Sequence, residues 1–117
     1  MNRSFKTLSF QASLLGACAL TMSVVANVAR AAPPPAATVQ IANFTFKAPV
    51  TTVKVGTAVT WTNADDIPHT VASNTGAFKS KVLDSGDRFT FTFAKPGQYG
   101  YFCSLHPHMT GTIIVKA

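Results

Sequence analysis

The chain has 117 residues, of which 12% are charged and 47% hydrophobic, a composition that suits one globular domain and excludes a largely disordered chain. Ten Lys and Arg against four acidic residues give +6, which invites a nucleic-acid reading. The basic residues beyond the N-terminal segment (Lys47, Lys54, Lys79, Lys81, Arg88, Lys95 and Lys116) are scattered, without the run that a nucleic-acid footprint requires.

The first segment explains much of the excess. Arg3 and Lys6 precede an apolar stretch from Thr7 to Val28, and Ala29-Arg30-Ala31 follows as an A-x-A triplet. This order describes a secretory signal peptide over residues 1–31, cleaved after Ala31. A retained membrane anchor is the rival reading, and Gln11, several hydroxyl residues and the triplet speak against it. No twin arginine is present, so the general secretory route to the periplasm or another exported location is expected. Leu15-Gly16-Ala17-Cys18 loosely resembles a lipoprotein processing site, but apolar sequence runs well past Cys18. Removing 31 of 117 residues leaves 86, takes Arg3, Lys6 and Arg30 and none of the acids, and lowers the charge to +3. It also removes Cys18, so Cys103 is left without an internal disulfide partner in an oxidising compartment.

Residues 32–37, rich in Pro and Ala, read as an extended lead-in, and residues 38–117 as the folded domain. Period-two patterning then predominates. Val39-Gln40-Ile41 alternates, and a phase shift at Ala42-Asn43 before Phe44-Thr45-Phe46 suggests a β-bulge. Val53-Lys54-Val55 and Val59-Thr60-Trp61-Thr62 flank a turn at Gly56-Thr57. A short strand is expected at His69–Val71, followed by a turn at Ser73–Gly76. Phe89, Phe91 and Phe93 mark one face of the next strand, Gln98–Cys103 the following one, and Thr112–Val115 the last. Seven to eight short strands with no helical period outside the signal predict an all-β sandwich.

The turn after the Cys103 strand reads Cys103-Ser104-Leu105-His106-Pro107-His108-Met109, and Asp65-Asp66-Ile67-Pro68-His69 closes an earlier loop. Four of the mature chain's five Cys, His and Met residues therefore lie within seven positions, a donor set that favours copper, zinc or iron over hard cations. C-x2-H-x2-M can wrap one ion if a second imidazole comes from a neighbouring strand end, where His69 stands. Two imidazoles, a thiolate and a weak thioether describe a blue-copper site.

These residues resemble the cupredoxins, specifically the amicyanin–pseudoazurin–plastocyanin group, over about residues 38–117. The short C-x2-H-x2-M loop is most similar to that of the amicyanins, and Pro68-His69 to the first-ligand segment. The resemblance implies a Greek-key sandwich with a single copper ion, His69, Cys103, His106 and Met109 as ligands, and transient electron exchange between larger redox proteins. It implies a docking patch at His106, Leu105 and Pro107, with Ile67-Pro68 beside it. The family commonly has Asn after the first His; here Thr70 stands there, and a Thr70–Ser104 hydrogen bond is expected to tie the two loops.

His108 is expected to face solvent, Asp65-Asp66 to shape the turn, and Trp61 with the phenylalanine face to be core. The reading is of an exported, monomeric electron carrier and not an enzyme, with no nucleic-acid partner and no stable membrane insertion after cleavage. The alternative is a periplasmic protein of copper delivery or sequestration without redox turnover. A zinc enzyme is disfavoured by the thioether, and a Cys-His hydrolase by the lack of an orienting group or oxyanion hole.

Overall fold

The computed structural model describes residues 16, 23–27 and 32–117 of the chain. Two units are distinguished, Met1–Arg30 and Ala31–Ala117, and every strand among the described residues belongs to the second. Most of the expected signal segment, with Cys18, lies outside the described residues.

Eight strands run in chain order: β1 (Ala36–Ala42), β2 (Thr45–Phe46), β3 (Val50–Lys54), β4 (Ala58–Asn63), β5 (Ala72–Ser73), β6 (Arg88–Thr92), β7 (Gly97–Phe102) and β8 (Thr110–Lys116). They form two four-stranded sheets, ordered β2-β1-β4-β6 and β3-β8-β7-β5. No helix occurs among the described residues. Each sheet combines a parallel pair, β1 with β4 or β3 with β8, with antiparallel neighbours.

Alternation decides which side chains enter the core. In β4, Val59, Trp61 and Asn63 point inward, and in β8 Ile113 and Val115 do. Trp61 is fully buried and stacks on Phe78 and Phe89 at 5.6 and 5.7 Å, with Tyr101 edge-on at 5.4 Å. Phe93 is buried, whereas Phe89 and Phe91 are half-buried against this cluster.

Three local readings change. β1 begins at Ala36, so the end of the proline-rich lead-in is already paired, Ala36 opposite Ala58 and Ala37 opposite Val59. The phase shift at Ala42-Asn43 is a two-residue hairpin turn and not a bulge, since Ala42 pairs with Thr45. Asn43 and Phe44 have φ of 52° and 54°, the left-handed pair that a primed hairpin turn needs. Phenylalanine is an unusual occupant, which concealed the turn. Finally, the fifth strand falls at Ala72–Ser73 and not at His69–Val71; His69 makes only an isolated bridge to Leu83.

The parallel pairing of β1 with β4 brings Ile41 opposite Asn63. The β1–β2 turn and the loop leaving β4 therefore share one end of their sheet. In the other sheet Phe102 pairs with both Ala72 and Thr110, which sets the loop between β7 and β8 beside the entry to β5.

Candidate metal centre

Asn63, the last residue of β4, organises the first loop. Its buried carboxamide donates to the carbonyls of Ile67 and Leu83, both at 2.9 Å, and accepts the Asp65 amide at 2.9 Å. A buried polar side chain must be satisfied, and these three bonds do so while fixing the loop path. His69 follows, its backbone paired both ways with Leu83 at 3.0 and 2.8 Å and its side chain fully buried. Nε2 of His69 lies 2.8 Å from Oδ2 of Asp65. An ionised carboxylate can only accept, so Nε2 carries a proton there. The other ring nitrogen, Nδ1, faces Cys103 Sγ at 3.8 Å.

The second loop is two successive four-residue turns, 103–106 and 106–109, that share His106. His106 N–H donates to the Cys103 carbonyl at 3.2 Å, and Met109 N–H to the His106 carbonyl at 2.9 Å. Cys103 N–H donates to the Met109 carbonyl at 3.0 Å, closing the loop at its base. The C-x2-H-x2-M spacing therefore follows the turn repeat. Cys103 and Met109 are buried and His106 is half-buried, whereas Leu105, Pro107 and His108 are exposed.

Cys103 Sγ accepts the Thr70 N–H at 3.3 Å and lies 3.7 Å from the Thr70 hydroxyl and 3.7 Å from His106 Nδ1. Burial opposes ionisation of this thiol, but the Thr70 amide, the two imidazoles and the Thr70 hydroxyl outweigh it and lower its pKa from 9.0 to about 6. Thr70 Oγ1 is 2.6 Å from Ser104 Oγ and accepts the Ser104 N–H at 2.7 Å. The two loops are thus joined through one hydroxyl.

The donor atoms of His69, Cys103 and His106 all lie within 4.8 Å of one another. Sulfur-to-nitrogen separations of 3.7 and 3.8 Å suit donors about 2.0–2.3 Å from a common ion. A thiolate with two imidazoles is a soft to borderline set, which fits copper and disfavours calcium or magnesium.

Sequence reasoning missed two participants. Asp65 is more than a turn former, because it bonds His69; its position four residues before that histidine was the available signal. Phe44 lies edge-on to His69 and His106, with centroids at 5.5 and 5.0 Å. Only the hairpin turn brings it there; the phase shift at Ala42-Asn43 was its signal in the sequence, but it suggested a bulge instead.

A cupredoxin-like domain model matches residues 13–115. Amicyanin-alpha of Methylorubrum extorquens is 34% identical over 119 aligned positions, spanning 95% of this chain and 99% of its own. Among solved structures, a purple cupredoxin from Nitrosopumilus maritimus superposes with a TM-score of 0.64 at 35% identity, covering 68% of this chain and 99% of that one. The Cu(I) form of an amicyanin point mutant gives a TM-score of 0.67 at 31% identity, over 73% of this chain and 86% of that one.

Proposed function

The chain belongs to the cupredoxin-like family and is similar to the amicyanins, and from that premise we propose that it is an exported carrier of single electrons. The cofactor is one copper ion, which supplies a Cu(II)/Cu(I) couple when bound. The observation that carries the reading is the convergence of His69, Cys103 and His106 donor atoms beneath a loop closed by Met109. We assign these four residues as ligands, with Thr70 contacting the sulfur and Ser104 bonded to the Thr70 hydroxyl.

The chain's own contribution is rigidity. Cys103 and His69 are fully buried, His69 is pinned by its bridge to Leu83, and Thr70 links the loops. A donor set that moves little between oxidation states keeps the barrier to electron transfer low. Full use of four protein donors leaves no open position for substrate, so the protein acts as a carrier and not as an enzyme.

His106 is the proposed exit for the electron, because it alone of the three nitrogen and sulfur donors reaches the surface. Leu105 and Pro107, its exposed chain neighbours, form the proposed apolar patch, and Ile67 and Pro68 are exposed on the loop that leads to His69. Transient redox partners use less than about 1,200 Å² of buried surface, which such a patch can supply. Scattered lysines would steer an acidic donor or acceptor. Export follows from the signal segment, with cleavage after Ala31 and a monomeric mature domain.

Cyclic voltammetry of the copper-loaded domain tests the carrier reading. The expected result is one reversible single-electron wave that survives repeated cycling. Copper lost on reduction, or a wave that fails to return, would favour delivery or sequestration instead.

A further inference from the structure

Asn43 and Phe44 both occupy the left-handed region. Asparagine enters it readily, but phenylalanine does not, so the second position needs support from outside the hairpin. Asp65, which lies on the loop after β4, supplies it. Oδ1 accepts the Asn43 N–H at 2.6 Å, and Oδ2 accepts the Phe44 N–H at 3.0 Å. Two successive amides of a left-handed turn form an anion-holding concavity, here filled by a side chain of the same protein. The same Oδ2 faces His69 Nε2 at 2.8 Å. Phe44, placed by this turn, sets its ring edge-on to both imidazoles at interplanar angles of 90° and 88°.

We propose that Asp65 is a positioning residue of the metal centre, fixing the proton-bearing edge of His69 and, through the Asn43–Phe44 turn, seating an aromatic cover on both imidazoles. This rests on reading His69 and His106 as copper ligands. One carboxylate then couples a ligand buried in the interior to a ring that is 49% exposed beside the docking patch. With the carboxylate present, His69 offers Nδ1 to the metal and cannot turn over. With Phe44 in place, the half-buried His106 has a ring packed against it that resists swinging outward.

Both Asp65 oxygens accept backbone N–H groups, Oδ1 from Asn43 and Oδ2 from Phe44, so the side chain acts as an acceptor at each. A carboxamide has only one acceptor oxygen, so Asp65→Asn must give up either the Asn43 amide or the shared Phe44–His69 contact.

Nitrogen-15 NMR of the metal-free protein reads the His69 tautomer without copper. The wild type should carry its proton on Nε2 and show close contacts between the Phe44 ring and His106. Asp65→Asn should give mixed tautomers and lose those contacts, and it should bind copper about 10–100-fold more weakly in competition with a chelator, the range typical of residues that orient ligands. Asp65→Glu should restore the Nε2 proton. Wild-type His69 protonated on Nδ1 alone, or an Asp65→Asn protein with unchanged tautomer and ring contacts, would overturn the proposal. If Asp65→Asn fails to fold, the wild-type and Asp65→Glu spectra still decide it. A protein with the expected tautomer that binds no copper would reject the metal reading and leave the positioning role of Asp65 standing.

Discussion

Thr70 shows how much one side chain can carry at this centre. Its amide points at the sulfur, and its hydroxyl meets Ser104 twice, through Oγ and through the amide. Thr70→Val keeps the shape and the amide but leaves the Ser104 N–H without its acceptor. Ser104 is exposed, so its freed N–H can meet water, and denaturant unfolding of the metal-free variant should show a loss of about 0.5–1.5 kcal/mol, the net worth of a hydrogen bond. Copper competition titration should show weaker binding by about 10–100-fold with the colour retained. Unchanged stability and affinity would reject the linking role. The Thr70–Ser104 contact was legible in the sequence because Thr occupies the place after the first histidine. Asp65 was only half legible: its turn-forming role follows from its place before Pro68, but its contact with His69 depends on the loop path that Asn63 sets.

The ligand loop is governed by the strands that deliver it. β7 and β8 pair Tyr101 with Gly111, and the tyrosine ring lies directly over that glycine. A methyl group at Gly111 would collide with the ring, which is buried against Trp61 and cannot retreat. Gly111→Ala should therefore cost about 1–3 kcal/mol by overpacking, seen as a lower unfolding midpoint. The strain arises two residues after Met109, so copper affinity should fall with it; a wild-type midpoint would contradict this packing. Strands such as β4, β6 and β8 were readable from alternation, since one face of each meets the core. β5 was not, because a two-residue strand carries too little pattern and its pairing with Phe102 is a property of the assembled sheet. The Asn43–Phe44 turn was hidden for a different reason: a tertiary contact, Asp65, stabilises a conformation that the local residue types do not favour.

For the molecule as a whole, the buried thiol of Cys103 links folding to pH. Its folded pKa of about 6 lies below the ordinary 9.0, so between these values the unfolded state binds more protons. The resulting stability is fully present above about pH 9 and is lost as pH falls through about 6. Metal-free protein unfolded by urea should gain stability as pH rises across this window, and Cys103→Ser should flatten the dependence. A wild-type profile that is flat or falls there would contradict the environment described for Cys103. Treating residues 1–31 as a signal reduces +6 to +3 and two cysteines to one, and the convergence of Cys103 with His69 and His106 gives that cysteine a purpose.

Titration of the purified domain with Cu(II), followed by visible absorption, tests whether Cys103 binds copper as a thiolate. An intense thiolate-to-copper band should appear, saturate at one equivalent and be absent from Cys103→Ala. No coloured complex in the wild type, or the same band in Cys103→Ala, would contradict it.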